Sequence, residues 1–180
     1  MSLQSIIIST LIPIYIQLPF NDKSSNSFEI PITLQIPTII LLTLIFNRGV
    51  VFRAFTIYLI LGLFISPVFH QGGSLGYLLT PNFGYLLGIY PLIKIIDNLN
   101  KKFKINIGNF LINGSLALVA MHLTGIFYNL IQILFYNQLN MFLYNVGKYS
   151  VGQIGYHFIM LIPLIFLIKP LKYFKYNNDN

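Results

Sequence analysis

Two long stretches of this chain contain no charged residue, one from Ala54 to Ile93 and the other from Ile105 to Gly147. A soluble domain keeps roughly a quarter of its residues charged, and uncharged runs of this length have no face to show to water. Only 8% of the whole sequence is charged while 56% is hydrophobic, and the mean hydropathy is +0.73. A chain of 180 residues with so few charges cannot coat a globule, so it folds in a bilayer. There the backbone must satisfy its own polar groups, which restricts the fold to helices or a closed barrel. The apolar windows have helix-crossing length, roughly 17 to 25 residues each. The sequence is that of an all-α integral membrane protein.

Six windows qualify: Leu3 to Phe20, with Pro13 inside it; Ile32 to Phe46, with Pro37; Ala54 to Phe69; Phe83 to Ile96; one within Ile105 to Asn137; and Ser150 to Ile168. The first is short enough to suggest a secretory signal. It lacks a basic start and a small-x-small cleavage site, so it reads as a span. Basic residues fix the count. With six spans and the N-terminus in the cytoplasm, Arg48, Arg53, Lys94, Lys101, Lys102, Lys104, Lys169, Lys172 and Lys175 fall on the cytoplasmic side and only Lys23 and Lys148 outside. A seventh span would move the tail lysines outside, against the positive-inside rule. The expected architecture is one six-helix membrane domain over residues 1–172 and a cytoplasmic tail at 173–180, with both termini inside. The net charge of +7 is then topological and no sign of nucleic-acid binding.

The acidic residues are Asp22, Glu29, Asp97 and Asp179, none of them mid-span. Ion-driven carriers place a carboxylate within the membrane to hold the coupling ion, so self-powered transport is disfavoured. Gly147-Lys148 is followed by Tyr149, and Phe142 stands where a phosphate-cradling loop needs glycine, so no ATPase is encoded either. There is no cysteine, no His-Glu-x-x-His and no paired carboxylate, which argues against an intramembrane enzyme and leaves no catalytic residue, metal site or cofactor to assign. His70, His122 and His157 are far apart with no metal-ligand spacing, and a lone histidine in a span is more often an interhelical hydrogen-bonder.

The spans instead carry neutral polar groups: Thr33, Gln35, Gln71, Asn82, Tyr85, Asn113, Asn129, Gln132, Gln153 and Tyr156. Each is either glue between helices or the lining of a polar cavity. Gln35 and Asn82 stand out because they lie beside Pro37 and Pro81, and helices broken by proline are tolerated where they face a cavity. Between them, Ser66 to Gly88 is dense in Pro67, Gly72, Gly73, Gly76, Pro81, Gly84 and Gly88. Such punctuation makes a shaped turn between two spans. We expect it to form a pocket wall whose glycines let backbone approach a ligand.

The segments "IPITLQ" (Ile30 to Gln35), "NRG" (Asn47 to Gly49), "YLILGLFISPVF" (Tyr58 to Phe69) and "GGSLGYLLTPNFGYLLG" (Gly72 to Gly88) resemble the BioY family over roughly residues 14–95. That family comprises the biotin-binding, substrate-capture (S) subunits of energy-coupling-factor (ECF) transporters of bacterial cell membranes. The resemblance implies a six-helix subunit that binds biotin from outside and is energised by a membrane coupling subunit and an ATPase pair. It also implies ligand-binding roles for Gln35 of the Pro-x-Thr-Leu-Gln motif and for Asn82 and Tyr85 of the Pro-x-x-Gly-Tyr segment, where the family usually has Thr in place of Asn82. The family's last helix opens with Gly-Asp-x-x-Lys. Here the match is Gly152-Gln153-Ile154-Gly155-Tyr156, which puts neutral Gln153 and Tyr156 at both charged positions. In the first helix Ser5 and Ser9 keep the small-residue spacing of the coupling face. Biotin suits this set, since amides can serve both N–H and carbonyl of its ureido ring and Tyr85 can cover its bicycle. Capture of another small vitamin, or a purely structural membrane role, are the alternatives.

Overall fold

A computed structural model describes residues 1–17, 29–70, 72–102, 107–136 and 139–178. Helix α1 (Ser2–Leu11) leads into a hairpin of β1 (Pro13–Gln17) and β2 (Glu29–Thr33), paired antiparallel with Pro13 opposite Thr33. Next come α2 (Gln35–Ile45), α3 (Arg48–Ile60), α4 (Pro81–Leu87), α5 (Ile89–Lys102), α6 (Ile107–Tyr136), α7 (Leu139–Val146) and α8 (Gly152–Asn178). A π-helical turn, Leu61–Ile65, prolongs α3, and a second, Gly147–Val151, joins α7 to α8 without a break. Helices α4 and α5 follow one another across Gly88. Counted as continuous rods, these make the six helices expected from hydropathy.

Among the described residues, three rods are long and apolar enough to cross a membrane: Arg48–Ile65, Ile107–Phe135 and Leu139–Leu167. Several expected boundaries move. The first window does not remain helical to Phe20, because Pro13 lacks the N–H that would continue α1, and the chain turns into β1. The third rod begins at Arg48 and ends by Ile65, short of Phe69. The sixth begins at Leu139, well before Ser150, since the π turn absorbs Gly147 instead of stopping there. At the other end α8 continues to Asn178, so helix covers most of the expected tail. Lys23, Lys104, Gln71 and Asp179 lie outside the described residues.

The prolines beside Gln35 and Asn82 start helices; they do not break them. Pro37 is the third residue of α2 and Pro81 the first of α4. A first-turn N–H has no intrahelical acceptor, so its loss at these positions costs little.

The core is built from Ile36, Ile39 and Ile40 of α2, Val51, Phe55 and Tyr58 of α3, Leu92, Ile93 and Ile96 of α5, Leu118 of α6 and Leu161 of α8, all buried. Its aromatic seam runs from Phe55 through Tyr58 and Phe69 to Tyr77, with successive ring centroids 5.8, 5.3 and 4.6 Å apart. Arg48 Nε lies 3.8 Å from the buried Asp97 carboxylate, and its Nη1 donates to Asn98 Oδ1 at 3.1 Å, tying the start of α3 to α5. Most of the outward surface is apolar, including Phe64, Phe127, Leu134, Ile159 and Phe166. In water such a surface would associate; facing lipid it is solvated.

Candidate ligand-binding site

One cavity is lined by Thr33 at the end of β2, Gln35 and Ile36 of α2, His70 and Tyr77 of the α3–α4 connection, Asn82, Tyr85 and Leu86 of α4, Ile89 of α5, Met121 of α6, and Tyr149, Gln153 and His157 along the last rod. Four of the residues selected from sequence, Gln35, Asn82, Tyr85 and Gln153, thus meet at one place from three separate helices. Gln35 is 6% exposed, and its Nε2 makes no well-formed hydrogen bond, lying beside the Tyr58 hydroxyl, which is likewise buried without one. A buried amide donor left without an acceptor costs stability, and a bound ligand can relieve that cost. Asn82 lies against the Tyr77 hydroxyl.

Tyr156 is not among the lining residues. Its hydroxyl is buried without a partner and its ring stands 5.8 Å from that of His157, which takes the place at the cavity expected of it. The signal for His157 was present in the sequence: Tyr149, Gln153 and His157 follow one another at intervals of four, the spacing of one helix face. The π turn completes that face, since it carries Tyr149 to the cavity and Ser150 behind it.

Behind the cavity runs a chain of hydrogen bonds. The Tyr85 hydroxyl is 3.1 Å from Ser150 Oγ, Ser150 Oγ is 3.1 Å from His122 Nδ1, and His122 Nε2 is 3.1 Å from His157 Nδ1. Both buried histidines therefore do bond between helices, α6 to α8. Among the described residues no cluster of three or more metal-ligating side chains exists.

The turn Ser66 to Gly88 contributes to the wall through side chains, and the backbone role expected of its glycines is corrected. No glycine is found among the described lining residues. Gly73 instead packs under the Gly62 carbonyl, and Gly88 lies against the Met121 backbone, so both serve close helix contact. Tyr85 owes its position to Gly125 of α6, where any side chain would overlap its ring. Burial holds the His70 imidazole in this connection below its usual pKa.

Asn129 and Gln132 make hydrogen bonds to backbone carbonyls and line a separate cavity with Leu79, Pro81 and Phe142. Asn129 Nδ2 donates to the Gly125 carbonyl at 2.9 Å, Gln132 Nε2 donates to the Leu79 carbonyl at 2.9 Å, and the Tyr128 hydroxyl donates to the Leu78 carbonyl. The Asn129 bond stays within α6, while those of Gln132 and Tyr128 fasten α6 to the segment before α4. Lys94 is exposed on α5 and away from the cavity. Lys148 Nζ sits over the rings of Tyr144 and Tyr149, 5.8 and 5.6 Å from their centroids. Ser9 of the expected coupling pair is buried and donates to the Ile6 carbonyl at 2.9 Å.

The profile of the BioY family matches residues 3–166, nearly the whole chain. This chain belongs to the BioY family. Among curated proteins, a "Probable biotin transporter BioY" of Lysinibacillus sphaericus is 41% identical over 59 residues, covering 33% of this chain and 30% of that relative's length. Among solved structures, the S-component for biotin from an ECF-type ABC transporter superposes with a TM-score of 0.65 over 93% of this chain and 87% of that one, at 20% identity. This chain therefore shares its fold with that subunit across almost its entire length.

Proposed function

We propose that this BioY-family chain is the substrate-capture subunit of a biotin transporter, binding biotin in the cavity between α2, α4 and α8. The observation that carries this reading is the meeting of Gln35, Asn82, Tyr85 and Gln153 at one cavity, with the Gln35 donor left without a well-formed hydrogen bond. The ureido carbonyl of biotin is an acceptor for that donor, its ureido N–H groups suit amide carbonyls, and Tyr85 and Tyr77 offer ring faces to the bicycle. The sequence supplies no phosphate loop and no acidic residue within a span, so uptake would be driven by a partner coupling protein and ATPases. The distribution of basic residues supports a reading with both termini in the cytoplasm and the cavity open to the outer side.

A second reading is favoured by one observation: neutral Gln153 and Tyr156 stand where the resembling family carries an acid and a base. A different small vitamin would then be the ligand on the same architecture. The test is equilibrium binding of labelled biotin to the purified chain, with competition by other vitamins. Stoichiometric binding resisted only by biotin analogues is expected. Saturable binding of another vitamin alone selects the second reading, and absence of any binding leaves a structural membrane role.

A further inference from the structure

The ligand proposed above ends in a carboxylate, and this inference rests on that reading. Moving a carboxylate out of water needs a compensating positive charge or an added proton. Among the described residues lining the cavity there is no lysine and no arginine. The lining groups able to change charge are His70 of the connection, Tyr77, Tyr85 of α4, Tyr149 of the π turn and His157 of α8. Around them stand His122 of α6 and Tyr156 of α8, with Lys148 beside Tyr149; the lining residues of β2, α2 and α5 are uncharged.

Of these, Tyr85 and His157 are the two ends of one hydrogen-bonded chain, running through Ser150 and His122 with 3.1 Å at each link. Because His157 Nδ1 faces His122, Nε2 is the nitrogen left for a ligand. In the neutral chain each member has one mobile hydrogen and each link consumes one. Only one end can then donate into the cavity while the other must accept, and reversing every hydrogen merely exchanges the ends. A carboxylate offers acceptors only. One additional proton lets both ends donate and supplies the missing charge.

We propose that His157, held by His122, determines specificity for the acid end of the ligand: one solvent proton is taken up by the chain as the carboxylate binds, so that His157 Nε2–H and the Tyr85 hydroxyl can both donate to it. Without an anion the pair is neutral, since among the described lining residues no carboxylate balances an imidazolium. Binding of the acid is therefore strengthened by falling pH and weakened by rising pH. A primary amide at the same position, with one acceptor and one donor edge, fits the neutral chain as it stands and needs no proton.

The test uses the purified full chain in detergent or nanodiscs, with biotin and biotinamide as probes, between about pH 6 and about pH 8. The dissociation constant for biotin is expected to rise by close to tenfold per pH unit while that for biotinamide stays flat, as uptake of about one proton requires. Calorimetry in two buffers of different ionisation enthalpy should count about one proton per biotin and about none per biotinamide, a reading that depends on no variant. His157→Gln should weaken biotin about tenfold or more at the acid end of the range while changing biotinamide by only about twofold. The proposal is overturned by flat biotin affinity with no proton uptake, or by a selective loss of biotin in Lys148→Gln or His70→Gln that His157→Gln does not show. If neither probe binds at any pH, the capture reading itself fails and this inference falls with it.

Discussion

At Gln35 the sequence and the structure make separable demands. Its Nε2 is buried without a well-formed hydrogen bond, so replacing the side chain by an apolar one of similar length removes an unsatisfied donor. We expect Gln35→Met to leave the thermal midpoint of the ligand-free protein unchanged or higher, yet to weaken biotin binding about tenfold or more. If stability falls in step with affinity, Gln35 is helix glue. Gln153→Ala should weaken binding about tenfold as well, and Gln153→Leu should be no better, because its bulk restores packing without a hydrogen bond. Binding isotherms and melting curves on the same samples check both. Gln35, Asn82, Tyr85, Gln153 and Tyr156 all stood out as costly polar groups in apolar windows, and the family resemblance implied their ligand roles; the first four line one cavity. Gln153 and Tyr156 were aligned to one motif, but Tyr156 lies about 60° around the helix from Gln153 on one side, whereas His157 lies about 40° on the other and lines the cavity. Residues reached only through contact, such as Ser150 and His122, left no local trace that they belonged together.

Among the elements, α3 and α5 are joined by Arg48 and Asp97, with Asp97 6% exposed and the Arg48 side chain 41% exposed. Removing the cation takes one charged partner from a buried acid, whereas removing both charges does not leave that imbalance. Arg48→Met should therefore lower stability by about 1 to 3 kcal/mol, and the double variant Arg48→Met with Asp97→Asn should recover part of that loss. Denaturation in detergent gives the cycle, and equal losses in the single and double variants would refute the coupling. The long rods were readable because hydropathy over a span outweighs local detail. Their joints were not, because a π turn such as Gly147–Val151 is one extra residue in a ladder that packing selects, and composition does not mark it. The hairpin was missed for a related reason: short apolar strands such as Pro13–Gln17 cannot be told from helix by periodicity alone.

On the scale of the whole molecule, the basic split makes the orientation testable in a chain without cysteine. Single cysteines introduced as Ser24→Cys and Asn177→Cys should react oppositely with an impermeant thiol reagent applied to intact cells, Ser24→Cys labelled and Asn177→Cys protected. The reverse pattern would invert the topology. The described helices also differ greatly in height. Helix α1 has 10 residues and α2 has 11, so each rises only about 15 to 17 Å, half of a hydrocarbon layer roughly 30 Å thick. Ile8, Leu11 and Ile12 of that flank are exposed, and directly after them the chain becomes, among the described residues, a two-stranded antiparallel ribbon. A bilayer that matched the height of these two helices would be thinner along this flank than along the long rods. The energy of that mismatch grows with every ångström of lipid length, which makes the surrounding membrane's thickness a variable acting on this subunit from one flank.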